Sequence, residues 1–250
     1  MKRKKRSRIG GINLPLNKKT IPIKEKYILR IDEHVGKDLY TPSSTGCTCT
    51  DCIDDLCPST FSPALMYSTV CYMCSSSTLK RLVATGWAAD RKITYAKPAK
   101  TMMELTYDQA LEDAAIAYLN KTDDCPTTPE DKNYVGENFW ISTYSLPSEK
   151  TVEKAVGEWF AYLGNEGLGK NLDYSSLKTD SAKKLGNVIH DKTEKIGCAF
   201  KACEKSGAIV IDCRYEPKLS GGKIYETGIK SCACDSINKR CSPLGGVCVA

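Results

Sequence analysis

The sequence predicts an α+β protein tied together by disulfides, and three observations predict it. Two neighbouring segments, 195–201 and 207–217, are apolar and rich in β-branched residues, and the polar, turn-prone stretch Glu204-Lys205-Ser206-Gly207 lies between them, which is the pattern of a buried hairpin. Upstream, several stretches repeat apolar residues at spacings of three and four, as amphipathic helices do. Fourteen cysteines in 250 residues form an even set that suits an oxidising compartment. A chain of this length buries a substantial core without staples, so such a count points to compartment rather than to size.

Taken in order, residues 1–56 read as a basic, disordered leader that mixes Lys, Gly, Pro and Ile without sustained period. Residues 1–26 hold ten Lys or Arg and one Glu, a net charge of +9, so the rest of the chain, in a total of +6, carries −3. The remainder therefore lacks the electrostatic footprint of a nucleic-acid surface. Three readings of the leader stay open: a nucleic-acid-contacting or nuclear-localisation tail, a processing site at Arg3-Lys4-Lys5-Arg6, and a misassigned gene start, of which the last is favoured. Neither a signal-peptide core nor a membrane span is visible.

Cys47, Cys49, Cys52, Cys57, Cys71 and Cys74 follow. Cys49-x2-Cys52, eighteen residues, then Cys71-x2-Cys74 is a spacing suited to a four-thiolate zinc site; the competing reading is disulfide partners in a cysteine-dense stretch. Leu79, Leu82 and Val83 then define a helix face that Gly86 stops. After a loop at 92–100 comes a helix whose apolar positions Ala110, Leu111, Ala114, Ala115 and Leu119 recur at three and four, with Thr106 or Asp108 as cap. Asn120-Lys121-Thr122 is a glycosylation sequon, and Cys125 anchors the helix end. Residues 135–142 read as a turn entering a strand. Ser148 opens an amphipathic helix through Leu163, with Val152, Ala155, Val156, Trp159 and Leu163 on one face. A short helix at 181–193 turns Leu185, Val188 and Ile189 inward. Cys198 and Cys213 each fall within a strand of the hairpin, with their pairing open. Residues 221–250, with Cys232, Cys234, Cys241 and Cys248, read as a small cysteine-rich extension.

Four pieces in order carry a resemblance: Leu105 to Glu112 with Cys125; Gly136-Glu137-Asn138-Phe139-Trp140; Ala155-Val156-Gly157-Glu158-Trp159; and Val210 to Pro217 followed by Gly221 to Gly228 and Cys232-Ala233-Cys234. Together they resemble the CAP superfamily (SCP/TAPS), in particular the activation-associated secreted and venom allergen-like proteins of parasitic nematodes. The resemblance implies a three-layer α-β-α sandwich with an antiparallel central sheet across residues 57–220. It also implies disulfides among Cys125, Cys198, Cys203, Cys213, Cys232, Cys234, Cys241 and Cys248, and an extracellular location.

Many members of that family hold two histidines and two acids in a central cleft that binds a divalent cation. On this chain those positions fall on Ser76, Glu137, Tyr162 and Lys184, so only Glu137 keeps its type. An ammonium offers a metal no lone pair, and the resemblance therefore implies a lapsed metal site, with Lys184 paired to Glu137 where the cation sat. For Ser76 an exon-boundary error is a further explanation. Catalytic alternatives are thin. His34 and His190 are the only histidines, neither sits beside a nucleophile elbow, and no P-loop, dinucleotide glycine run or His-Glu-x-x-His occurs.

The expected function is a secreted, non-enzymatic protein acting by surface recognition on host proteins or cells. Its partner is an unidentified, host-derived protein, with a sterol or fatty acid as a further ligand and no nucleic acid or cofactor. An intracellular zinc protein using Cys49, Cys52, Cys71 and Cys74, and a metal-dependent hydrolase, are the alternatives.

Overall fold

A computed structural model describes residues 76–143, 148–229 and 232–250. The leader, His34 and the cysteines from Cys47 to Cys74 lie outside the described residues. A helix over 76–85 (α1) is closed at Gly86, whose N–H donates to Val83 O (3.0 Å). A short ribbon follows, Ala89–Asp90 (β1) against Thr94–Tyr95 (β2), where the sequence pattern suggests only a loop.

The central sheet has the order β3-β5-β6-β4, with Thr106–Tyr107 (β3), Glu137–Thr143 (β4), Lys195–Cys203 (β5) and Ala208–Glu216 (β6). The hairpin β5–β6 and the pair β4–β6 are antiparallel, as expected. Only the two-residue β3 joins in parallel, on the outer edge of β5.

On one face lies Gln109–Leu119 (α2). Asp108 caps it by accepting from Leu111 N (3.2 Å), and Thr106 is absorbed into β3. Leu111, Ala115 and Leu119 are buried as the spacing predicts, but Ala110 and Ala114 face outward and Tyr118 packs in their stead. The α2 backbone comes down onto β5 at Gly197, where a Cβ would stand 2.2 Å from Glu112 N, so any larger residue would push the two layers apart.

The other face is covered by α1, Ser148–Asn165 (α3) and Asp180–Ile189 (α4), which completes the three layers. Val152, Ala155, Val156, Trp159 and Leu163 of α3 and Leu185, Val188 and Ile189 of α4 are buried together against Trp140, Ile196, Ile209 and Ile211 of the sheet. Thr179 caps α4. That helix ends at Ile189 rather than reaching Thr193, because His190 leaves the helical region with ψ 131°.

Every cysteine from Cys125 onward is paired. Cys198 and Cys213 sit directly opposite in the β5–β6 register and are bonded, with Cα atoms 4.1 Å apart. Cys125–Cys203 ties the segment after α2 to the end of β5. Cys232–Cys241 and Cys234–Cys248 close the C-terminal segment around Arg240–Cys241 (β7) and Cys248–Val249 (β8). That segment is stitched to the domain: Cys248 N donates to Met102 O (2.7 Å), and Arg81 donates to Ser242 Oγ (3.1 Å) and Gly245 O (2.6 Å). No helix among the described residues is long and apolar enough to cross a membrane.

Candidate functional site

The approach to Glu137 is built by a tight turn. Tyr134 and Gly136 both have positive φ, and a Cβ on Gly136 would stand 2.7 Å from Lys218 Cγ and 3.0 Å from Tyr215 O, so the chain passes here only as glycine. Strand β4 starts at Glu137, whose buried carboxylate accepts from Glu130 N (2.8 Å) and Asp131 N (2.6 Å). Each oxygen closes the loop before it, which is a capping role. Beside this loop lies a polar cleft of about 370 Å³, lined in part by Glu130, Lys132, Glu137, Arg214 and Lys218.

Strand alternation places Glu137 and Phe139 on the α2 face, opposite Arg214 and Asp212 of β6. Arg214 donates from Nε to Asp212 Oδ2 (3.0 Å), and its Nη2 lies 2.7 Å from Glu130 Oε2. Asp212 is fully buried, and desolvation, reinforced by Glu137 and opposed by Arg214, pushes its carboxyl up to about 8. Glu130 goes the opposite way: hydrogen bonds from Lys121 and then Arg214 hold it below its usual range. Burial and ion pairing thus push the two acids around one guanidinium in opposite directions.

Asn138, one residue along, points to the opposite face. Its Nδ2 donates to Lys184 O (3.0 Å) and reaches Tyr215 OH at 3.5 Å, and the Tyr215 hydroxyl faces the buried Ser76. Asn187 knits this side together. Its amide donates to Tyr134 O (2.8 Å), Glu137 O (3.0 Å) and Asn138 Oδ1 (2.9 Å), and its oxygen accepts from Tyr174 OH (3.1 Å) and Gly136 N (3.4 Å).

Of the four cleft positions, then, Ser76 and the Lys184 backbone converge on Asn138 and Tyr215, whereas Glu137 turns its carboxylate to the other face. The expected Lys184–Glu137 ion pair is not formed. Lys184 Nζ lies 4.7 Å over the Tyr134 ring, and burial lowers its pKa against the pull of Asp180 and Glu158. Tyr162 is half-buried against the α3/α4 core. One carboxylate with both oxygens engaged, a hydroxyl, a phenol and an ammonium form a donor set that does not fit a divalent cation. Two other places among the described residues bring three potential ligand atoms together, Cys232/Cys234/Cys241 and Asp124/Cys125/Cys203, and each uses disulfide sulfurs rather than thiolates.

His190 is buried. As the C-cap of α4 it accepts from Lys192 N at Nδ1 (3.2 Å), with Asp191 Oδ1 at 3.1 Å. Tyr225 and Trp159 belong to the core. Asn120 is the exposed C-cap of α2, with its sequon partner Thr122 also exposed.

Sequence reasoning missed three of these groups. Asp212 and Arg214 carry a signal, two charges at period two inside an apolar strand, which places both on one face. Lys80 carries none: it lies within an otherwise ordinary helix, yet it is fully buried and donates to Thr193 O, and desolvation lowers its pKa to about 7 despite Asp191 and Glu194.

Comparison with known proteins now adds to this geometry. The family model of the cysteine-rich secretory proteins (CAP) matches residues 88–215. An Ancylostoma secreted protein from Ancylostoma caninum is 29% identical over 175 residues, which cover 67% of this chain and 41% of that protein, so the chain spans about two fifths of that relative's length. Hookworm platelet inhibitor 1 from the same species is 29% identical over 147 residues, covering 57% of this chain and 67% of its own. Among solved structures, NaASP2 with Zn2+ aligns at a TM-score of 0.63 with 24% identity, over 77% of this chain and 100% of that one. Na-ASP-1 aligns at 0.62 with 24% identity, over 73% and 47%. At these identities the structures show a shared fold.

Proposed function

Since the chain belongs to the cysteine-rich secretory protein (CAP) family, we propose that it is a secreted, non-enzymatic CAP-domain protein that acts by surface recognition on host proteins or cells. The observation that carries this reading is Glu137. It is the one cleft position to keep its family residue type, and both its oxygens serve the backbone of the 130–131 loop. Four disulfides among the cysteines from Cys125 to Cys248 favour an oxidising, extracellular setting. The named activity of one relative, platelet inhibition, supports a partner on the host side. The exposed Asn120 sequon is a glycosylation site on this reading.

A direct test is saturable binding of the labelled full chain to host cells or plasma proteins in the presence and absence of EDTA. Binding that survives chelation agrees with the proposal. Chelator-sensitive hydrolysis of ester or peptide substrates would replace it with a metal-dependent hydrolase. Organic extraction of the purified protein followed by mass spectrometry tests the variant in which a sterol or fatty acid is the ligand.

A second reading has its own observation. The eight cysteines from Cys125 onward satisfy one another, so Cys49, Cys52, Cys71 and Cys74 are not needed by any disulfide of the described residues. Four thiolates at that spacing would hold zinc in an intracellular protein. One equivalent of zinc released by thiol alkylation would favour it.

A further inference from the structure

The ribbon β1–β2 presents a surface that the reading above does not use. Along it, burial alternates with the strand period: Ala88, Asp90 and Ala96 point inward, and Trp87, Ala89, Tyr95 and Lys97 point out. Cross-strand pairing of Ala89 with Tyr95 sets these outward residues on one side. Trp87 and Tyr95 are 72% and 53% exposed and meet edge to face at 6.4 Å. Leaving two large rings in water is unfavourable unless something covers them.

Charge narrows what that something is. Arg91 and Lys92 at the turn and Lys97, two residues past β2, are all exposed, and none forms an ion pair among the described residues. The ribbon's one acid, Asp90, is buried and accepts from Lys92 N (2.8 Å), Leu168 N (3.1 Å) and Gly169 N (2.9 Å), so it is held away from the surface. Glu166, just beyond α3, is an exposed acid next to Gly167, which packs on the Arg91–Lys92 backbone. Two exposed aromatic rings with a polar tip, ringed by three unpaired cations on long apolar stems, match the interface of an anionic bilayer. There indole and phenol rings settle at headgroup depth and lysine or arginine stems reach the phosphates. A peptide partner would call for a recess, and these rings stand proud.

We propose that the outer side of the β1–β2 ribbon docks this protein peripherally on membranes rich in anionic lipid, through Trp87, Tyr95, Arg91, Lys92 and Lys97. This goes beyond the function proposed above and does not depend on it, because it is a property of the folded domain. It also differs from a lipid held in a groove.

Tryptophan fluorescence of the full chain reads the site directly, since Trp140 and Trp159 are 6% and 2% exposed and Trp87 alone is open to solvent. Vesicles of phosphatidylcholine and phosphatidylserine at about 7:3 should blue-shift the emission, and brominated acyl chains should quench it. Phosphatidylcholine alone should do neither. The Trp87→Phe variant should lose the signal, and each of Arg91→Gln, Lys92→Gln and Lys97→Gln should weaken partitioning about fivefold. These positions are exposed, and near-ultraviolet circular dichroism checks that the variants keep their packing. The basic leader also attracts acidic vesicles, so co-sedimentation without quenching of Trp87 would assign binding to the leader and overturn the proposal. Retention on heparin that is lost in the triple Gln variant, with no quenching by vesicles, would overturn it in favour of a sulfated polysaccharide.

Discussion

The two faces of the central sheet are held by different means. Towards α1, α3 and α4 the sheet meets a broad apolar layer, which encloses an amide network centred on Asn187 together with the buried Ser76, Lys80 and His190. Towards α2 one helix covers the sheet, the apolar cluster is small, and its rim is an ionic cluster of Glu130, Glu137, Asp212 and Arg214. Each face has its own disulfide, Cys198–Cys213 on the first and Cys125–Cys203 on the second. The difference teaches that a face with little apolar cover leans on a charged rim and on a disulfide that closes a long loop, whereas a well-covered face uses hydrogen bonds to fix geometry.

Several changes sharpen or break that contrast. Opening the Cys125–Cys203 bond, which closes 78 residues, should destabilise the protein by about 4.5 kcal/mol on chain entropy. Opening Cys198–Cys213, which closes 15, should cost about 3 kcal/mol. Paired Cys→Ala variants in urea melts give both, and equal losses would remove the asymmetry. Arg214→Met should cost about 3 kcal/mol by leaving Asp212 and Glu130 without the cation they share, and Asp212→Asn in the same chain should restore part of it. Asn187→Ala should cost about 2 kcal/mol, because it leaves the carbonyls of Tyr134 and Glu137 and the hydroxyl of Tyr174 without partners.

Smallest per unit, yet most diagnostic, is pH. Asp212, on the α2 face, has its carboxyl raised from 3.8 to about 8, so the folded chain holds a proton that the unfolded chain has released. Its contribution is full below about pH 4 and is lost as pH rises to about 8. Lys80, on the other face, is lowered from 10.5 to about 7, so its contribution is full above about pH 10.5 and is lost as pH falls to about 7. The difference in unfolding free energy between the parent chain and Asp212→Asn should fall with pH over the first window. Against Lys80→Met it should rise over the second, each by up to about 1.4 kcal/mol per pH unit. A flat difference in either window would remove that residue from the comparison.

Legibility in the sequence followed the strength of the local pattern. The β5–β6 hairpin and α3 are visible because long apolar runs with a single period leave little choice, and Gly207 marks the turn between the strands. The ribbon β1–β2 and the strand β3 were invisible, since two residues carry no period and pair only because the rest of the fold presents an edge. The end of α4 was missed because His190 is no helix breaker; its backbone turns away where Asp191 N bonds to Ile224 O, a contact distant in sequence. At the cleft, residue types were legible one by one, but directions were not. Glu137 and Asn138 are adjacent in the chain and face opposite layers, so the imagined pairing of Lys184 with Glu137 was lost to strand alternation.

One measurement addresses the central claim, that this is an exported CAP-domain protein closed by disulfides. It is the intact mass of the chain recovered from its native source, inside and outside the cell, after alkylation with and without prior reduction, followed by peptide mapping. Recovery from the extracellular fluid, with the eight cysteines from Cys125 to Cys248 modified only after reduction, is the predicted result. An intracellular chain whose Cys125, Cys198, Cys203 and Cys213 alkylate without reduction would contradict it.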